Sequence, residues 1–370
     1  MTEQIIQMVP AENLPFLMEI YRWGIGLIKT IQRIENPALT SLMKFISVLG
    51  TEALYVPLLL FIFWWIDEKR GLRFGILVIV SAWINAFFKV ILKQPRPFNL
   101  EPSVGLSSEA SYGIPSGHAQ MSLTFWIPMA AWLSQLWTAK AGAGLPQTEK
   151  KRSYGKIIPW ACVVLFILLI GFSRLYLGVH FPTDLLAGWI LGGIILVIWF
   201  IPGPSLSKRF ASAGTRIQNI CAAAAALVMN GLYSGNRSLP ALFLGFCLGY
   251  TIMRKYFPFS ARGEINGKKP GIPNMFFRCI IGFLGMAVIY LGLKLILSGN
   301  GSFLSSIPIW GPASPFYGIG YFIRYGLLGL WASAGAPRVF LQMGLAAAAS
   351  PGDTGNGPDE GTRDGNTIPR

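Results

Sequence analysis

Charged side chains are scarce in this chain. Asp, Glu, Lys and Arg make up only 13% of its 370 residues, against about 25% in an ordinary soluble domain. Set beside the long apolar runs, that deficit excludes a water-soluble globular protein, because about 20 consecutive apolar residues span the hydrocarbon core of a bilayer. Acidic residues number only 16, and none form a paired cluster. No zinc-ligand spacing occurs, and no Gly-rich loop ends in Lys-Ser or Lys-Thr, so no metal site, nucleotide loop or cofactor is expected. Cysteine is also rare. Cys162, Cys221, Cys247 and Cys279 each fall in an apolar run without metal-ligand spacing, which predicts small buried residues. The first dozen residues lack a basic region followed by an apolar stretch and a small-residue cleavage site, so no cleaved signal peptide is expected.

What is abundant is apolar surface and positive charge. Hydrophobic residues make up 53% of the chain, and the formal net charge is +15. The basic residues cluster in short loops between apolar runs, the positive-inside pattern of membrane proteins, and no nucleic-acid partner is expected. Leu14 to Glu35 reads as an amphipathic interfacial helix, with Leu17, Ile20, Gly24, Leu27, Ile31 and Ile34 on one side and Glu19, Arg22, Lys29 and Arg33 on the other. Nine spans are then predicted, near 51–66, 72–94, 117–138, 157–175, 184–202, 216–233, 239–255, 275–298 and 315–335. Basic residues fill alternate loops, at 67–73, at 139–156, after the fifth span and between the seventh and eighth, while the 299–314 loop carries no charge. This alternation predicts a cytoplasmic C-terminus and places loops 95–116 and 176–183 on the extracytoplasmic face. Two sequons, at Asn236 and Asn300, fall in outer loops and carry little weight.

By this topology both histidines of the chain fall at the outer face, His118 at the start of the third span and His180 in the 176–183 loop. Lys89 is followed seven residues later by Arg96-Pro97; Pro115-Ser116-Gly117-His118 comes next; Ser173-Arg174 precedes His180 and Asp184. A single ionisable group at a membrane helix end can simply snorkel, but the whole set reads as a phosphate site. Lys89, Arg96 and Arg174 supply cations, and the planar guanidinium fork suits phosphate oxygens. Ser116 and Gly117 stand where a helix begins, so its dipole and unsatisfied N–H groups favour an anion. One histidine can attack phosphorus while the other protonates the leaving oxygen. Asp184 follows His180 by one helical turn, with Pro182 suited to the first turn, and a carboxylate on one ring nitrogen leaves the other nucleophilic. The 98–114 loop, with Glu101, Glu109 and Tyr112, is expected to border the mouth.

In these residues the chain resembles the type-2 phosphatidic acid phosphatase superfamily, relatives of the vanadium haloperoxidases. All eleven signature positions are present: Lys89, Arg96, Pro97, Pro115, Ser116, Gly117, His118, Ser173, Arg174, His180 and Asp184. The resemblance implies an all-α integral membrane bundle that works without metal. His180 is then the nucleophile, Asp184 its orienting partner and His118 the general acid, while Lys89, Arg96, Ser116, Gly117 and Arg174 hold the phosphate. It also implies a membrane lipid phosphate as substrate, in a plasma or bacterial inner membrane, with the site on the extracytoplasmic face. The expected organisation is an interfacial helix over 1–35, a catalytic domain over 36–203, additional transmembrane helices over 204–349 and a disordered tail over 350–370. The extension contains Asn219, Asn230 and Arg324 but no readable signature, and anchoring or packing is its expected role. Three other functions remain open at this point: phosphotransfer to a lipid or sugar acceptor, haloperoxidase chemistry, and a transporter or scaffold role for the C-terminal helices.

Overall fold

The computed structural model describes residues 15–142, 149–265, 267–297 and 317–349. The expected disordered tail, the 299–314 loop, the Asn300 sequon and part of the 139–156 loop lie outside these residues. Helices dominate: α1 (Pro15–Ile31), α2 (Pro37–Val48), α3 (Glu52–Phe61), α4 (Glu68–Leu92), α5 (Gly117–Gly142), α6 (Glu149–Tyr176), α7 (Pro182–Phe200), α8 (Gly203–Ser212), α9 (Thr215–Leu232), α10 (Ser238–Tyr256), α11 (Ile272–Leu297), α12 (Tyr317–Leu330) and α13 (Ala336–Gln342). The only strands among the described residues are the two-residue β1 (Phe259–Ser260) and β2 (Ala347–Ala348), paired antiparallel.

Among the described residues, four helical stretches are long and apolar enough to cross a membrane: Glu68–Leu100, Ile157–Tyr176, Pro182–Phe200 and Ile272–Leu297. The pair Pro37–Val48 and Glu52–Ile66, bent by 43°, forms a fifth if it counts as one broken span. The other expected spans also fold as helices, α5, α9, α10 and α12, without reaching that combination of length and apolarity. The chain is an integral membrane protein.

The chain divides into two compact units that alternate along the sequence: 1–59, 74–214 and 227–240 in one, 60–73, 215–226 and 241–370 in the other. In the first unit, α5 packs along α6 and α7. Small residues allow the α5–α7 approach: a Cβ on Gly188 would meet the Ser116 carbonyl oxygen at 2.6 Å, and one on Gly192 would meet the Gln120 carbonyl oxygen at 3.2 Å. The opposite face of α7 presents Leu186, Ile190, Ile194, Val197 and Ile198, each more than half exposed, as a lipid-facing surface requires.

α1 lies against this unit through Tyr21, Gly24 and Ile28, its buried stripe. This shifts the expected apolar face by about a sixth of a turn: Leu17, Ile20, Leu27 and Ile31 are half-buried beside the stripe, and Ile34 lies beyond the helix, 62% exposed. Tyr21 packs on Phe181 with ring centroids 4.8 Å apart. Gln32 donates to the carbonyls of Val104 (2.9 Å) and Tyr176 (2.8 Å), tying the end of α1 to the 95–116 and 176–183 loops. Asn36 caps α2 by accepting from Leu39 N–H at 2.9 Å, with Pro37 in the first turn.

In the second unit, Arg278 is fully buried and donates to the carbonyls of Trp64 (2.8 Å), Ala261 (2.8 Å) and Leu345 (2.9 and 2.7 Å). Trp64 in turn donates to the Ala332 carbonyl at 2.8 Å. Arg324 is buried among the rings of Tyr290, Tyr321 and Tyr325, 4.6 to 5.2 Å from their centroids. Asn219 accepts from Thr251 at 2.7 Å. The expectation of buried cysteines fails: Cys162 and Cys221 are exposed, and Cys247 and Cys279 are half-buried. A bilayer-facing surface is itself apolar, so a weakly polar thiol needs no interior position there.

Candidate active site

The site lies in the first unit, where the end of α4, the start of α5, the end of α6 and the start of α7 converge. Each signature residue holds a place that local sequence dictates. Pro182 opens α7, and Asp184 in its first turn accepts the Phe181 N–H at 2.9 Å. The same carboxylate oxygen lies 3.1 Å from His180 Nδ1. With Nδ1–H donating to Asp184, Nε2 keeps its lone pair. Arg96 Nη1 donates to that nitrogen at 3.1 Å and to the Val179 carbonyl at 2.7 Å. Between α6 and α7, Gly178 sits at φ +66°, and a Cβ there would collide with the Val104 carbonyl, so only glycine makes this turn.

Ser116 precedes α5, accepts from Ala119 N–H at 3.4 Å and donates its own N–H to the Asp184 carbonyl at 3.0 Å. The starts of α5 and α7 are therefore joined directly. The N–H groups of Gly117 and His118, in the first turn of α5, are among those a helix leaves without an internal partner. His118 Nε2 lies 3.5 Å from Ser47 Oγ. Ser173, in the last turn of α6, donates to the Ile170 carbonyl at 2.7 Å.

All three signature cations are buried, with 8% of Lys89, 1% of Arg96 and 3% of Arg174 exposed. Lys89 donates to Tyr112 O, Ser111 Oγ and Gly113 O. Arg96 also donates to Ser111, from Nε to its carbonyl at 2.6 Å and from Nη2 to its hydroxyl at 3.0 Å. Arg174 donates to Ser47 Oγ. Glu109 joins the two guanidiniums, with Oε2 2.6 Å from Arg96 Nη2 and Oε1 paired to Arg174 Nη2. Arg174 Nε is buried without a hydrogen-bond partner.

His180 lies between the spanning helices and is 1% exposed. Burial, and then the positive charges of Arg96, Lys89 and Arg174, hold its imidazole well below the ordinary histidine range. The structure thus gathers His180, Asp184, Arg96 and Arg174 around one point, with Lys89 and His118 close enough to act on the His180 charge.

Several supporting residues escaped the sequence reading. Ser47, on α2, touches both Arg174 and His118. A buried polar ladder braces α4 against α5: Asn85 donates to Gln120 Oε1 at 2.8 Å and to the Pro115 carbonyl at 3.3 Å, and Gln120 donates to Ser81 O and Oγ at 2.8 and 3.0 Å. Asn85 and Gln120 could have been found as polar residues inside apolar spans. Ser47 offered no such signal, because nothing in an amphipathic helix distinguishes one serine from the next.

Residues 70–203 match the PAP2 superfamily, and residues 238–348 match the transmembrane extension of PAP2 superfamily phosphatases. The chain is 29% identical over 185 residues to the undecaprenyl-diphosphatase of Sulfolobus acidocaldarius, covering 47% of this chain and 75% of that protein. It is 30% identical over 182 residues to phosphatidylglycerophosphatase B of Bacillus subtilis, covering 48% and 81%. It is 32% identical over 161 residues to mouse sphingosine-1-phosphate phosphatase 2, covering 43% of this chain but only 41% of that protein. The crystal structure of a transmembrane PAP2-type phosphatidylglycerolphosphate phosphatase from Bacillus subtilis aligns with a TM-score of 0.40 at 24% identity, covering 53% of this chain and 92% of that one. The family models and the named relatives define a membrane-embedded phosphoric ester hydrolase. The chain belongs to the PAP2 superfamily and carries its C-terminal transmembrane extension.

Proposed function

We propose that this protein hydrolyses a phosphomonoester or diphosphate of a membrane lipid through a phosphohistidine intermediate at an extracytoplasmic site. The observation that carries the reading is the environment of His180: Nδ1 faces Asp184, and Nε2 faces a guanidinium that, with a second one, already holds an anionic group. His180 Nε2 attacks phosphorus, a P–N bond forms, and the P–O bond to the lipid breaks. His118 gives its proton to the departing lipid oxygen. Water then attacks the phosphohistidine, returns a proton to His118 and releases inorganic phosphate. Lys89, Arg96 and Arg174, with the first turn of α5, stabilise the equatorial oxygens, the main demand of phosphoryl transfer. Asp184 holds the imidazole in the reactive tautomer.

The relatives named for undecaprenyl diphosphate, sphingosine 1-phosphate and phosphatidylglycerophosphate share one substrate chemistry, a phosphate group on a membrane-anchored tail. That shared chemistry, together with the lipid-facing surface of α7, supports a lipid substrate. The test is phosphate release from a panel of lipid monophosphates and diphosphates in detergent with EDTA present, combined with trapping of a phosphoenzyme. Release that persists in EDTA and an acid-labile phosphoenzyme lost in His180→Ala are expected. Strict dependence on magnesium, or appearance of the phosphoryl group only on an added acceptor, would overturn the reading.

A further inference from the structure

Glu109 belongs to no signature, yet its carboxylate occupies the two guanidiniums that the hydrolytic reading assigns to phosphate. One oxygen lies 2.6 Å from Arg96 Nη2 and the other pairs with Arg174 Nη2. A carboxylate bridging two guanidiniums presents two oxygens, as a phosphoryl group does. The loop around Glu109 is tied down at both ends, by Leu106 N–H on the Leu177 carbonyl at 3.1 Å and Gly113 N–H on the Gln94 carbonyl at 2.9 Å. Between these anchors the chain forms no helix or strand, and the Glu109 side chain stays 26% exposed beside arginines that are almost wholly buried. Glu109 therefore sits where it can turn towards solvent, whereas Arg96 and Arg174 have no such route.

We propose that Glu109 is an internal anion that occupies the phosphate clamp and must leave it when a phosphoryl group binds. The inference rests on the clamp being a phosphate site. The carboxylate gives an ion-pair partner to two buried guanidiniums that would otherwise lack one, a costly state. It also weakens every phosphate ligand by the fraction of time the clamp is open. A clamp closed about nine-tenths of the time raises the apparent dissociation constant about tenfold. Inorganic phosphate, which has no tail to anchor it, is then held weakly and released readily after turnover, while a lipid substrate is retained in addition by its chain in the bilayer. Glu109 is a positioning residue in this scheme and takes no part in bond making.

The sign of one substitution decides the matter. Glu109→Gln keeps the size and one acceptor oxygen but removes the competing charge. If Glu109 merely supports the arginines, losing the ion pairs loosens the clamp and weakens anion binding. If it competes, anion binding tightens. The experiment is calorimetric titration of the purified full chain with inorganic phosphate and, separately, with orthovanadate, for wild type, Glu109→Gln and Glu109→Ala. About tenfold tighter binding of both anions is expected in each variant, with KM for a soluble phosphomonoester lowered more than kcat is changed. Unchanged or weaker anion binding in whichever variants fold, with wild-type binding intact, would overturn the role of Glu109 and leave the phosphate site standing. No anion binding by any of the three proteins would overturn the phosphate site, and this inference with it.

Discussion

With only two imidazoles in the chain, each can be followed separately. His180 is buried among cations, which holds its neutral form to lower pH than an ordinary histidine. Ring-labelled protein titrated by NMR, with His118→Ala to assign the signals, should show His180 still neutral at pH 6. A midpoint at or above about 6.5, the unperturbed value, would contradict the site described here. The same shift links to stability. Because the unfolded chain takes up this proton near 6.5 and the folded one only lower, the contribution is full above that pH and is lost as pH falls towards the folded value. His118→Ala should slow lipid substrates severely and be partly rescued by a nitrophenolate leaving group, which needs less protonation. Equal losses on both substrates would remove His118 from the acid role. Arg174→Lys keeps the charge but loses the fork that reaches both Ser47 and Glu109. A fall of about 10²–10³ in kcat is expected, the typical effect of losing one oriented donor. Near-wild-type kcat on purified protein would make Arg174 structural.

At the scale of elements, the site is only as rigid as the contact between α5 and α7. Ser116 N–H on the Asp184 carbonyl joins their first turns, and Gly188 and Gly192 let the two helices continue close together. Gly188→Val must push the helices apart, since even a Cβ would sit 2.6 Å from the Ser116 carbonyl oxygen. Overpacking of this kind costs about 1–3 kcal/mol. The thermal midpoint in detergent should fall, and kcat should fall further than stability alone explains, because His118 and Asp184 move apart. A variant with unchanged midpoint and kcat would show that this contact does not position the site. Gln120→Ala breaks the ladder between α4 and α5. Interhelical hydrogen bonds in bilayers average about 0.6 kcal/mol, so a small loss of stability is expected. These bracing residues were only half legible beforehand. The signature marks charged and polar residues at fixed short spacings, whereas the polar ladder depends on which faces of two spans happen to meet.

For the whole molecule, sidedness is the property to test. α7 has 19 residues and rises roughly 28 Å at 1.5 Å per residue, enough to carry the chain from the site to the basic stretch at Lys208 and Arg209 on the other side of the bilayer. In a cysteine-free background, an impermeant thiol reagent added outside should label Ser108→Cys but not Lys208→Cys. The reverse pattern would put the site in the cytoplasm. The sequence by itself determined the membrane class, the positions of the helices and the eleven-residue constellation. Those rest on composition, on long apolar runs and on side chains whose chemistry is fixed at short spacings. It could not determine which face of α1 is buried, that the cysteines are not, that Ser47 and Asn85 belong to the site, or that Glu109 bridges Arg96 and Arg174. Each of these depends on contacts between residues far apart in the chain, such as Ser47 with Arg174. A helix written in apolar residues on every side does not announce which side meets protein and which meets lipid. Only the packed bundle makes that choice, because burying a polar group is favourable just where another element supplies its partner.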